Sequence, residues 1–125
     1  MSIDPTVLAE ARALVEKAGM ADFVLTTAAP ASTSGQPVEI VLIDPPSRSP
    51  GTPNFDKPDL DRPGVVRSTS ILNAIREGTP LPPLVLFQHA GDCRYELLDG
   101  FHRFYLCSAL GYRHMPAVMG WKFEN

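Results

Sequence analysis

The sequence predicts a single α+β domain: a small mixed β-sheet, one central buried helix and an additional N-terminal helix. Three observations lead there. Helix-period and strand-like segments alternate along 125 residues, a length that suits one hydrophobic core. One segment, Phe101 to Leu110, is apolar on nearly every side, as a helix in the middle of a domain would be. The strand-like runs, Val38 to Ile43 and Leu84 to Gln88, are short and bounded by proline and turn residues.

The elements follow in order. Asp4-Pro5 is a helix start, a carboxylate cap followed by proline at the first helical position. Val7, Leu8, Ala11, Leu14, Val15 and Ala18 then recur at helical spacing, and Gly19 ends the run. Phe23 to Thr26 reads as a short strand, and Thr27 to Gln36 as a polar loop. Val38 to Ile43 reads as one β-branched strand. A second helix falls between Pro63 and Glu77, with Val65, Ser68, Leu72 and Ile75 inward and Gly78 at its end. Leu84 to Gln88 and Arg94 to Leu98 form a hairpin around Ala90-Gly91-Asp92. Asp99-Gly100 switches the chain into the central helix, which Gly111 closes. Pro116 to Met119 is the last strand, and Trp121 and Phe123 are expected to close the core.

The chain thus divides into residues 1–36, a helix and linker, and residues 37–125, the main domain. Eight of the 13 prolines lie between Pro30 and Pro63, so an irregular proline-rich segment, 44–63, interrupts that domain. Its Asp56, Asp59 and Asp61 lack the glycine and distal glutamate of a calcium loop and read as a solvated acidic stretch.

Composition narrows the function. No strongly apolar run exceeds four residues, far from the roughly 20 of a membrane-spanning helix or the roughly 7–15 of a signal peptide. A cytoplasmic location without membrane contact is the expectation. The net charge of −3 lacks the basic footprint of an autonomous DNA binder. Cys93 and Cys107 form neither a metal pattern nor a disulfide framework, and Cys107 reads as a buried thiol. His89 and His114 have no metal spacing with them. Arg94 and Arg113 read as surface charges.

The informative stretch is Leu98-Asp99-Gly100-Phe101-His102-Arg103. There a strand ends, a glycine follows and a helix begins, so unpartnered N–H groups and the helix dipole make an anion site. A helix N-terminus disfavours cations by about 0.3–1 kcal/mol each, yet Arg103 and His102 stand in the first turn. An arriving phosphate would resolve the conflict, with Arg103 binding it bidentately. Alternatively, Asp99 pairs with Arg103 and caps the helix. Spacing leaves both open.

Three stretches carry a resemblance. They are Leu81-Pro82-Pro83-Leu84-Val85-Leu86, then Tyr95-Glu96-Leu97-Leu98-Asp99-Gly100-Phe101-His102-Arg103-Phe104, then Leu110-Gly111-Tyr112-Arg113-His114-Met115-Pro116-Ala117-Val118. In order and spacing they resemble the ParB/sulfiredoxin superfamily over about residues 37–120. The resemblance implies that the Gly-x-His-Arg turn cradles nucleotide phosphates. Gly100 and Phe101 would give backbone approach, and His102 and Arg103 side-chain contacts. Arg67 and Ser70, on one edge of the preceding helix, match a basic and a hydroxyl residue of sulfiredoxins, while Ala74 lacks the second hydroxyl. The implied ligand is a nucleoside triphosphate, ATP or CTP, with Mg²⁺.

Departures from the family divide its branches. Phe101 stands where sulfiredoxin has its reactive cysteine, so sulfinate chemistry is not expected. A DNA-reading helix-turn-helix domain, which chromosome-partition ParB proteins carry after this region, is not expected. Asp99-Gly100 and Arg103 resemble the turn of free-serine kinases. That implies Asp99 as a catalytic and Mg²⁺-holding carboxylate and Asp44 as a base. The expected function is nucleotide binding that serves a switch or phosphoryl transfer. One alternative is a protein-interaction module with a vestigial site, contacting a protein partner or a second copy. Another is a DNA-linked accessory protein, of partition or nuclease type.

Overall fold

The computed structural model describes residues 3–45, 55, 58, 60 and 64–121. It is a mixed α+β fold of three α-helices and a five-stranded sheet. The helices are α1 (Pro5–Lys17), α2 (Arg67–Glu77) and α3 (Phe101–Leu110). The strands are β1 (Gln36–Glu39), β2 (Ile43–Asp44), β3 (Leu84–Phe87), β4 (Tyr95–Asp99) and β5 (His114–Met119). None of the described helices is long and apolar enough to cross a membrane. Asp56, Asp59, Asp61 and Phe123 lie outside the described residues.

The sheet runs β1-β5-β3-β4-β2. β1 is antiparallel to β5, β5 parallel to β3, β3 antiparallel to β4, and β4 parallel to β2. This order forces curvature. In a flat sheet the edge strands β1 and β2 would lie about 19 Å apart. Glu39 and Ile43 are four residues apart, and an extended chain covers at most about 14 Å over that distance. The sheet therefore curls until its two edges approach.

That curl corrects one expectation. Val38 to Ile43 is not one strand; a 3₁₀ turn, Ile40–Leu42, splits it between the two edges. Ile40 and Ile43 are both buried while Val41 between them is exposed. Burial at i and i+3 is the period of a 3₁₀ turn and incompatible with strand alternation. Phe23 to Thr26 is also not a strand: it pairs with nothing in the sheet and forms part of the connection from α1 to β1.

The helices form where local signals place them. The Asp4 carboxylate accepts from the N–H groups of Thr6 (2.9 Å) and Val7 (3.4 Å), and Pro5 opens α1. Lys17 in the last turn opposes the negative helix end. The Tyr105 hydroxyl accepts from the Asp4 N–H at 3.2 Å, tying the start of α1 to α3. Ala11 and Val15 of α1 are buried in the same core as Leu84, Leu86, Leu97, Phe104, Leu106 and Met115. On α2 the buried residues are Ser68, Ile71, Leu72 and Ile75, so Ile71 joins the expected inner face and Val65 is only half-buried.

Trp121 does not close the core. It is 91% exposed, as Phe104 and its neighbours already fill the interior. The chain leaves the sheet at Gly120, whose N–H donates to the Leu86 carbonyl at 2.7 Å. Cys107 is buried as expected, and burial pushes its thiol up to about 12. It is thus no nucleophile near neutral pH.

Candidate functional site

The strand-to-helix turn begins with Gly100, the cap residue of α3, at φ +102°. A side chain there would be strained by that backbone angle. It would also meet Leu84 Cδ2 at 2.5 Å and Arg103 Nη2 at 2.9 Å. Glycine is therefore required by what packs beneath the turn. No side chain caps α3, and its first turn holds no acidic residue. Asp99 does not cap the helix. Its carboxylate is exposed and stands 3.9 Å from Arg103 Nη2, the outer limit of an ion pair.

Arg103 lies beneath the turn. Its guanidinium turns inward, with Nη2 donating to the Pro83 carbonyl at 3.1 Å, and its side chain is only 16% exposed. Its Nε is buried without a hydrogen-bond partner. Burial lowers the affinity of this guanidinium for its proton; the Asp99 carboxylate opposes the effect, and the charge of Arg67 adds to it. A largely buried cation with one distant carboxylate is costly unless an anion arrives.

Phe55 links the first turn of α2 to this turn. Arg67 is the first residue of α2, whose cap, Val66, offers no side-chain hydrogen bond; the first turn again holds no acid. Arg67 and Ser70 are both half-buried. The sequence reading missed the link between the two helices, Phe55. The buried Ser68 hydroxyl donates to the Phe55 carbonyl at 2.9 Å, and the Phe55 ring stands perpendicular to the His102 ring, centroids 5.4 Å apart. Two helix starts thus converge. Neither has a side-chain cap, and between them they carry Arg67, His102 and Arg103.

Asp44 is not brought to this turn. It pairs in register with Glu96, three residues or about 10 Å along β4 from Asp99. Arg94, expected to be a surface charge, holds it in a fork: Nε donates to Oδ2 at 2.8 Å and Nη2 to Oδ1 at 2.7 Å. Nη2 also donates to the Val41 carbonyl at 3.0 Å, so the pair pins β2 to the hairpin. The hydrogen bond from Arg94 holds the Asp44 carboxyl below its usual range, which unsuits it as a base. A depressed pKa contributes stability above the unfolded value of about 3.9 and loses it as pH falls through the folded value. Asp44→Asn should therefore flatten the acid limb of stability, read as the urea midpoint between pH 5 and 3. An unchanged slope would mean the fork contributes nothing.

Two concavities lie elsewhere. One of about 200 Å³ is lined by Asp44, His89, Arg94 and Glu96, with His89 Nε2 3.6 Å from Glu96 Oε1. The other, about 320 Å³, lies between α1 and α2 and includes Leu14, Lys17, Thr69 and Asn73. Neither is lined by Gly100, His102 or Arg103. No cluster of three or more metal-ligating side chains occurs among the described residues. Asp99, a single exposed carboxylate, falls short of a protein-only magnesium cage.

Compared with models of protein families and with curated proteins, the chain matches none.

Proposed function

We propose that this chain is a nucleotide-binding domain of the ParB/sulfiredoxin type, with the nucleotide's phosphates held between the first turns of α2 and α3. One observation carries the reading. Two helix N-termini without side-chain caps or acids converge with Arg67, His102 and Arg103, and Asp99 stands 3.9 Å from Arg103. Helix N-termini favour anions through their N–H groups and dipoles, and guanidinium groups add charge-assisted bonds. In this reading the backbone at Phe101, His102 and Arg103 faces phosphate oxygens. The His102 and Arg67 side chains and the Ser70 hydroxyl add contacts. Arg103 supplies charge from beneath the turn, and Asp99 holds Mg²⁺ against the phosphates.

The arrangement favours a ligand-operated switch over phosphoryl transfer. The fork on Arg94 keeps Asp44 from serving as base, and Phe101 is no nucleophile. A thermal-shift panel with ATP, CTP and tripolyphosphate, with and without Mg²⁺, tests the reading. A ligand at a hundredfold excess over its Kd raises stability by about 2.7 kcal/mol. A rise with tripolyphosphate that grows with one nucleotide is expected; no rise with any of them overturns it.

A second reading, a protein-interaction module, rests on the end of β5. Val118, Met119 and Trp121 are 37%, 54% and 91% exposed, an apolar step that solvent alone does not favour.

A further inference from the structure

We propose that Phe55 is a positioning residue that sets the orientation of His102 and ties together the two helix starts; the inference rests on the phosphate reading above. Phe55 comes from the proline-rich stretch, outside every segment that carries the family resemblance. It is nevertheless 6% exposed. Its carbonyl accepts from the hydroxyl of Ser68, itself 1% exposed, in the first turn of α2. Pro58, three residues on, pairs with Val66, the residue that precedes α2. Phe55 is thus anchored to α2, and its ring meets His102 in the first turn of α3.

A perpendicular ring pair at 5.4 Å is a favoured aromatic geometry. Contact on one side removes rotamers from a half-buried imidazole, and what a ligand need not immobilise it binds more tightly. The same anchor spaces the first turn of α2, which carries Arg67, from the first turn of α3, which carries Arg103. A residue that merely filled the core would not couple selectively to His102.

The test uses inorganic tripolyphosphate and four proteins besides wild type: Phe55→Leu, Phe55→Tyr, His102→Gln and the Phe55→Leu/His102→Gln double variant. Phe55→Leu should weaken binding about fivefold, and Phe55→Tyr, which keeps the ring, should restore it to within about twofold. In the His102→Gln background, Phe55→Leu should cost little more. An equal loss in both backgrounds, or none in wild type, overturns the proposal. Proton spectra of the free proteins give a readout independent of ligand. Phe55→Leu should move the ring signals of His102 and leave those of His114 in place; unmoved His102 signals also overturn the proposal. If wild type binds no tripolyphosphate, the phosphate reading falls. The spectra then still decide whether Phe55 holds the ring.

Discussion

Gly100→Ala is expected to destabilise the domain by about 2–6 kcal/mol, the sum of about 1–3 kcal/mol of backbone strain and about 1–3 kcal/mol of overpacking. The strain follows from φ +102°, and the overpacking from Leu84 Cδ2 at 2.5 Å and Arg103 Nη2 at 2.9 Å from the added carbon. Leu84 is wholly buried, and Arg103 is held on the Pro83 carbonyl, so neither yields freely. Gly78→Ala is the control. Its φ is +73°, but nothing lies within 4 Å of its added carbon. It should show the strain alone, about 1 kcal/mol. Urea unfolding of the two variants separates the terms; equal losses would mean that the space beneath the turn is not tight.

Phe104→Ala should cost about 3–5 kcal/mol, the usual range for emptying a buried phenyl site. The ring is fully buried on α3, in one core with Leu84, Leu86 and Leu97 of the sheet, and packs perpendicular to Tyr105 at 5.3 Å. Domains are stable by only about 5–15 kcal/mol, so this change removes roughly a fifth or more of the total. The Phe104 backbone N–H donates to the Gly100 carbonyl at 2.8 Å, so the strand-to-helix turn should loosen as the core does. A loss below about 1 kcal/mol would show that α3 is not the central element.

What was legible in the sequence was local. Asp4-Pro5 and Gly19 bound α1 as their side chains and dihedrals require, and Gly100 and Gly111 bracket α3. The apolar surround of α3 announced its place in the core. What was not legible depends on partners far along the chain. The division of Val38 to Ile43 follows from the sheet's curl, because β1 needs β5 and β2 needs β4. Asp44 and Arg94, 50 positions apart, offered no spacing signal for their fork. The period of two buried isoleucines, Ile40 and Ile43, was the one clue to the turn between the edges.

The candidate site divides in the same way. The turn residues Asp99, Gly100, Phe101, His102 and Arg103 stood out because cations in a first helical turn conflict with the dipole. The inward direction of Arg103 did not, as the Pro83 carbonyl comes from a separate strand entry. Phe55 was hidden in a proline-rich stretch whose composition suggests only irregular chain. Trp121 departs from expectation because aromatic residues near a last strand usually pack, whereas among the described residues the core forms without it.

The central claim is that the two helix starts bind phosphate together. Calorimetric titration of tripolyphosphate into wild type and Arg67→Ala tests it most directly, since Arg67 is the half-buried first residue of α2, the helix that Phe55 ties to the start of α3. Removing one charge-assisted contact should weaken binding by about 1.5–3 kcal/mol, roughly 10- to 150-fold, with little change in melting temperature. Wild-type affinity in Arg67→Ala, or no heat of binding in wild type, would contradict it.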